Sequence, residues 1–104
     1  MEHIKLAEDV FEKLPNKKTT IRLGRKSYQL GEAVMISTEK DRRCLVNILR
    51  VEHCKFANIY ESDLQNDGFK DHDDAFEKMQ KFYPNMEWDD TYTVVKFSTI
   101  KLID

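Results

Sequence analysis

Two long stretches of strand-forming residues constrain the fold more than any other feature of this sequence. The stretch at 91–103, TYTVVKFSTIKLI, alternates so that Val94 and Val95 face opposite sides of a β-strand. The stretch at 44–56, CLVNILRVEHCKF, is equally rich in strand formers, but its apolar residues do not keep a strict alternation. This interruption predicts a bend or bulge, a feature that is common where a sheet curls toward a barrel.

Two shorter strands are predicted nearer the N-terminus. The segment TTIRL at 19–23 places Thr20 and Arg22 together on one face, because side chains alternate along a strand. The segment EAVMIS at 32–37 forms a second strand, and the polar segment 24–31 between them is a loop or a short hairpin.

Helical periodicity marks three further segments. In the first, apolar side chains recur at a spacing of about four residues, which is typical of a helix with one buried face. In the third, Asp71, Asp73 and Asp74 stand at the N-terminal end, where acidic side chains favour a helix. Together with the strands, these helices predict an α+β fold built on a curled, mostly antiparallel sheet. The first predicted helix spans 5–14 and is ended by Pro15 and Asn16. The second lies in the segment 59–69 and stops at Gly68. The third spans 71–83 and is ended by Pro84.

Composition indicates one domain with an uneven distribution of charge. A chain of 104 residues with 40% hydrophobic content suffices for one core, so residues 1–104 are read as a single domain. The net charge of -2 combines a basic first part, with 12 Lys and Arg against 8 Asp and Glu through Ala57, and an acidic remainder with 5 against 11. A local basic surface therefore remains open to an anionic ligand. The phenylalanines expected in the core are Phe11, Phe56, Phe76 and Phe82.

Other properties of the chain argue against membrane and metal sites. The mean hydropathy of -0.65 and the lack of a long apolar run exclude a transmembrane helix, and the acidic N-terminus does not resemble a signal peptide. A cytoplasmic protein with reduced Cys44 and Cys54 is the expectation. His53 and Cys54 are adjacent and would point to opposite faces of a strand, which disfavours a zinc site, and no cofactor is expected.

A set of motifs in order along the chain resembles the ASCH domain of the PUA-like superfamily. The set comprises KKTTIR, YQLGEAVMIS, RCLVNILRVEHCKF, NDGF, a helix ending in FYP, and TYTVVKFSTI. Together these motifs cover roughly the whole chain, and their order is more specific than any one of them. The resemblance implies a small, curled antiparallel β-barrel flanked by helices, related to domains that bind modified RNA.

Within that family, the chain also resembles the small bacterial N4-acetylcytidine amidohydrolases, which carry a K-x-x-T-x-R segment at this place. Lys17, Thr20 and Arg22 fit it, and Asp67 stands nearest to the family's catalytic glutamate. The resemblance implies a catalytic triad of Lys17, Thr20 and Asp67. Strand periodicity alone favours Lys18 as the partner of Thr20, and Asp67 is also explained as a turn residue before Gly68.

The predicted substrate-binding residues are cations and aromatics near these motifs. Cationic side chains contact phosphates or base carbonyls, and aromatic rings stack on nucleobases. The expected partner is a modified pyrimidine nucleoside or single-stranded RNA, with neither a membrane nor DNA expected. The resemblance implies an amidohydrolase as the first function. The alternative is a non-catalytic RNA- or nucleotide-binding module, and a ribonuclease is the third and last candidate. The predicted substrate-binding residues are Arg22, Arg25, Lys26, Tyr28 and Tyr60, and Trp88 is a further candidate for stacking on a base.

Overall fold

The computed structural model of the protein describes residues 1–14 and 16–103. Within these residues, five strands and three α-helices follow one another, with a short 3-10 helix at Phe56–Asn58. The predicted stop of the first helix at Pro15 lies outside the described residues. The elements are β1 (Glu2–Leu6), α1 (Glu8–Phe11), β2 (Thr19–Leu23), β3 (Gly31–Ser37), β4 (Arg43–Lys55), α2 (Glu61–Asp67), α3 (His72–Met79) and β5 (Thr91–Ile103).

The five strands form one curled sheet in the order β1-β3-β4-β5-β2. All neighbouring strands are antiparallel except β1 and β3, which run parallel. The two long strands pair along their whole length, and their register shifts between Leu45 and Val46 and again between Ile48 and Arg50. These irregularities confirm the predicted bulge, and the α+β half-barrel confirms the predicted fold class. The strands β1 and β2 are the two free edges of the sheet.

The N-terminal segment corrects the predicted helix over 5–14. Residues Glu2–Leu6 form a strand, and the helix that follows is limited to Glu8–Phe11. Ile4 and Leu6 are both buried and lie two residues apart, so they share the inner face of β1. Their partner is β3, which pairs Ile4 with Met35. This distant pairing overrides the local helical spacing of the apolar residues.

Two hydrophobic clusters cover the two faces of β5. The barrel core fills the curl of the sheet, whereas the helical core lies under α2 and α3. Val94 belongs to the helical core and Val95 to the barrel core, because consecutive side chains of a strand point to opposite faces. The main members of the barrel core are Ile4, Leu6, Phe11, Met35, Ile48 and Phe97, and those of the helical core are Ile21, Phe56, Leu64, Met79 and Tyr92.

Several predictions about single residues have a clear outcome. Phe11 and Phe56 are buried as predicted, but Phe82 is 59% exposed and does not belong to the core. The reason is that α3 ends at Met79, before the predicted boundary at 83, so Phe82 leaves the helical face. Cys44 is buried, Cys54 is half-buried, and neither thiol is in a disulfide.

The helix ends follow from local chemistry. Asp71 precedes α3 and accepts a hydrogen bond from the backbone N–H of Asp74 at 2.8 Å, as an N-cap does. Gly68 follows α2 with a φ of 103°, as predicted for a helix stop. Across residues 1–14 and 16–103, no helix has the length and apolar character needed to cross a bilayer.

Candidate active site

A cavity of about 500 Å³ lies between the two free edges of the half-barrel. Residues 5–7 at the end of β1 form one wall, and residues 20–22 of β2 form another. The end of α2 with the turn after it, 67–69, and the chain around 78–83 also line the cavity. Residues 9, 10, 13, 17 and 38 complete the lining. The curl of the sheet therefore brings together segments that are far apart in sequence.

A buried ion pair lies at the bottom of this cavity. Lys17 is only 3% exposed, although its neighbours Asn16 and Lys18 are exposed. Its ammonium contacts the Asp67 carboxylate and also donates to the Asp67 backbone carbonyl at 3.2 Å. That carbonyl ends α2, where the helix dipole favours a cation. Lys18, which strand periodicity favoured, is exposed.

Asp67 is held in place by both the helix and the neighbouring strand. The backbone N–H groups of Gly68 and Phe69 donate to the carbonyls of Gln65 and Leu64, which is the pattern of a Schellman motif. The second carboxylate oxygen of Asp67 accepts from the Ile21 N–H at 3.1 Å. This side chain therefore fixes the end of α2 against β2 and at the same time positions the Lys17 ammonium.

The surroundings of Lys17 favour its neutral form more than water does. Burial lowers the pKa of Lys17 to about 7, and the positive charges of Arg22 and Lys13 act in the same direction. The Asp67 carboxylate acts in the opposite direction, because it stabilises the ammonium. A lysine with this pKa exchanges a proton near neutral pH, which is the property required of a general base.

Thr20 and Arg22 lie on the β2 wall of the same cavity. Thr20 is 4% exposed and pairs with Val95 in the sheet. Arg22 reaches across the opening, where its guanidinium donates to the Lys5 carbonyl at 2.8 Å. The Nε of Arg22 is buried without a hydrogen-bond partner among the residues described. The cavity thus brings together Lys17, Thr20, Arg22 and Asp67, all four of which were singled out from the sequence.

The other predicted binding residues lie outside this lining. Arg25 and Lys26 are exposed in the loop after β2, and Tyr28 packs against the barrel core. Tyr60 lies at a second cavity of about 150 Å³, which Cys54 and Asp63 also line. The ring of Trp88 is stacked on Phe76 at a centroid distance of 5.2 Å.

Other residues that were not predicted from the sequence also line the main cavity. Lys5 was assigned to a helix, although it lies on β1, and five residues around the end of α3 were not connected with the site. The signal that could have predicted β1 is the spacing of the apolar residues Ile4 and Leu6, which lie two positions apart as on one face of a strand. No local sequence pattern indicated where the chain after α3 would pack. Within the described chain, no group of three or more His, Cys, Asp or Glu side chains is arranged to hold a metal ion. The missed lining residues include Lys5, Lys13, Phe69, Lys78, Met79, Lys81, Phe82 and Tyr83.

No family model matches this sequence, and no curated protein matches it. Solved structures do match, among them an ASCH domain from Lactobacillus crispatus with a TM-score of 0.75 and 13% identity over 96% of this chain and 80% of that one. A protein from Enterococcus faecalis has a TM-score of 0.72 and 12% identity over 99% and 82% of the two chains. A variant of an ASCH protein from Zymomonas mobilis has a TM-score of 0.69 and 10% identity over 98% and 73%. The chain therefore has the fold of ASCH-domain proteins.

Proposed function

We propose that this protein is a hydrolase of the ASCH family that removes an acyl group from the exocyclic amine of a modified cytidine. The observation that supports the proposal most directly is the buried Lys17 in contact with Asp67, in a cavity that Thr20 also lines. The resemblance of Lys17, Thr20 and Arg22 to the K-x-x-T-x-R segment of the amidohydrolases supports acyl chemistry at this cavity, and the fold shared with ASCH-domain structures agrees with that resemblance. The expected location is the cytoplasm, in keeping with two free thiols.

The first half of the reaction transfers the acyl group to the protein. The neutral amine of Lys17 takes the proton of the Thr20 hydroxyl, and the hydroxyl oxygen attacks the acyl carbon. The tetrahedral intermediate collapses as Lys17 returns that proton to the departing N4 nitrogen. The amide C–N bond breaks, cytidine leaves, and an ester on Thr20 remains.

The second half regenerates the protein with water. Lys17 takes a proton from water, whose oxygen attacks the ester carbon, and the proton returns to the Thr20 oxygen as the C–O bond breaks. A carboxylic acid leaves and ionises in solution. Asp67 holds Lys17 in position throughout, and the Arg22 guanidinium hydrogen-bonds to the base or acyl oxygen.

The test uses N4-acetylcytidine with the parent protein and a set of variants, followed by chromatography of the cytidine released. Thr20→Val and Lys17→Met are expected to lower kcat at least about 100-fold, the scale of losing a nucleophile or its base. Thr20→Ser keeps the hydroxyl and retains activity. Lys18→Met, which removes an exposed ammonium next to the site, is the matched control and keeps the parent rate. Absence of turnover by the folded parent would contradict the proposal.

A non-catalytic RNA- or nucleotide-binding module is the second candidate. It is favoured by the cations that line the cavity, including Arg22 and Lys13, since cationic clefts bind phosphates. This candidate predicts binding of single-stranded RNA that weakens with salt and no release of cytidine from any acylated substrate. Binding without turnover would replace the first proposal with this one.

A further inference from the structure

The main cavity is cationic although the whole chain is acidic. Among the described residues that line it, six are cationic and two, Asp9 and Asp67, are acidic. The whole sequence has 17 basic against 19 acidic residues. Cations are therefore concentrated at this one place. The six are Lys5, Lys13, Lys17, Arg22, Lys78 and Lys81.

Only part of this positive charge is matched by neighbouring carboxylates. Lys17 is paired with Asp67, and Lys78 with Asp74 at 3.2 Å. Among the residues described, Lys5, Lys13 and Lys81 form no ion pair, and Arg22 donates to a neutral carbonyl. A surplus of unpaired cations around a cleft attracts an anionic ligand.

The ion-paired Lys17 and the unpaired lysines differ in how deeply they lie in the cavity. Lys17 and the Asp67 carboxylate are buried, whereas Lys5, Lys13 and Lys81 are exposed. The chemistry of the proposed reaction is therefore at the bottom, and the unpaired cations surround the mouth. A substrate whose acyl group reaches Lys17 would leave its far end among these cations.

We propose that the substrate is a phosphorylated nucleoside, an N4-acylcytidine monophosphate, whose phosphate is held at the mouth of the cavity by Lys5, Lys13 and Lys81. This inference rests on the proposed function and adds the substrate class. A volume of about 500 Å³ is within the range of cavities that hold small ligands. A mononucleotide fits better than an RNA strand, because Arg25 and Lys26, which would extend a phosphate track along the surface, do not line the cavity.

The experiment compares kcat/KM for N4-acetylcytidine and for its 5′-monophosphate at low and high salt. The parent is expected to prefer the monophosphate about tenfold at low salt, and the preference should shrink as salt rises, because the contacts are exposed. Lys13→Gln and Lys81→Gln each lower this preference about threefold. The matched control, Lys101→Gln, removes an exposed cation that does not line the cavity and leaves the preference unchanged.

The outcomes separate this inference from the proposed function. Equal hydrolysis of the two substrates would overturn the phosphate site and leave the hydrolase intact. If neither is hydrolysed, the hydrolase fails, and calorimetric titration with cytidine 5′-monophosphate and cytidine decides whether the phosphate site exists. Tighter binding of the monophosphate, weakened by Lys13→Gln, would support that site, whereas equal or absent binding would overturn it. Faster deacylation of a short RNA than of the monophosphate would replace the mononucleotide with RNA.

Discussion

At the scale of single residues, the ion pair of Lys17 and Asp67 determines how the site is tested. Both side chains are buried, so removing one of them leaves an uncompensated charge, which typically costs about 3 to 5 kcal/mol. A single substitution therefore changes stability as well as chemistry. The double variant Lys17→Met/Asp67→Asn removes both charges and is the better background for measurements of folding.

The lowered pKa of Lys17 predicts a dependence of stability on pH. In the folded protein this pKa is about 7, against 10.5 for an ordinary lysine. Between these values the unfolded chain binds more protons than the folded one, so this group makes the free energy of unfolding rise with pH, by at most about 1.4 kcal/mol per pH unit. Below about pH 7 both states are protonated and the contribution to the slope disappears.

Urea unfolding at intervals from pH 6 to pH 10 measures this effect. The slope of stability against pH between 7 and 10 should be smaller in Lys17→Met/Asp67→Asn than in the parent. The double variant Lys18→Met/Asp73→Asn, which removes one charge of each sign from exposed positions, is the control and should keep the parent slope. Identical slopes in the parent and the Lys17 variant would contradict the assignment.

At the scale of elements, the turn after α2 links the helix to the buried ion pair of Lys17 and Asp67. Gly68 has a φ of 103°, and nothing lies within 4 Å of the place where a Cβ would stand. Replacing it with alanine therefore strains the backbone without creating a steric contact. The strained residue directly follows Asp67. The carboxylate and the backbone carbonyl of Asp67 both contact the Lys17 ammonium.

Gly68→Ala is expected to lower stability by about 1 to 2 kcal/mol, the cost of placing a side chain in the left-handed region. It should also reduce turnover of N4-acetylcytidine, because Asp67 moves with the turn. Gly31→Ala is the matched control, since Gly31 has a φ of 104° and the same open surroundings but does not line the cavity. Unfolding in urea and the rate of cytidine release are measured together. Equal losses of activity in both variants would contradict a special role for the turn.

The elements also show how far the sequence alone predicts this structure. Strands such as 19–23 and 91–103 were predicted because alternation is a local property, and the stop at Gly68 was predicted from residue type. The first strand was missed because its stability comes from β3, a partner that local spacing does not reveal. Strand periodicity favoured Lys18, which is exposed, whereas the motif pointed to Lys17, which is buried at the cavity because it contacts the distant Asp67. The lysines at the mouth of the cavity depend on the curl of the sheet and had no local signal.

At the scale of the whole molecule, one strand joins two hydrophobic cores. Val94 contributes to the helical core, and Val95 contributes to the barrel core from the next position along β5. Because the same backbone carries both, loss of either core disturbs the other. The expected behaviour is that of one cooperative unit.

Substitutions in each core test this cooperativity. Ile48→Ala in the barrel core and Leu64→Ala in the helical core remove side chains that are at most 1% exposed, and each should cost about 2 to 5 kcal/mol. The single tryptophan, Trp88, stacks on Phe76 beside the helical core, so its fluorescence reports on that side. Circular dichroism reports on the whole sheet. Both signals should change at the same urea concentration in the parent and in both variants, and separate midpoints would indicate two units.

The position of β2 at the edge of the sheet has a consequence for synthesis on the ribosome. Within the described chain, the ladder partner of β2 is β5, which pairs Thr20 with Val95. Thr20 and Arg22 leave the ribosome long before β5 is made, so the nascent chain carries this wall of the cavity without its support. The site is therefore completed only when β5 has been made, although Lys17 and Thr20 are translated well before that strand.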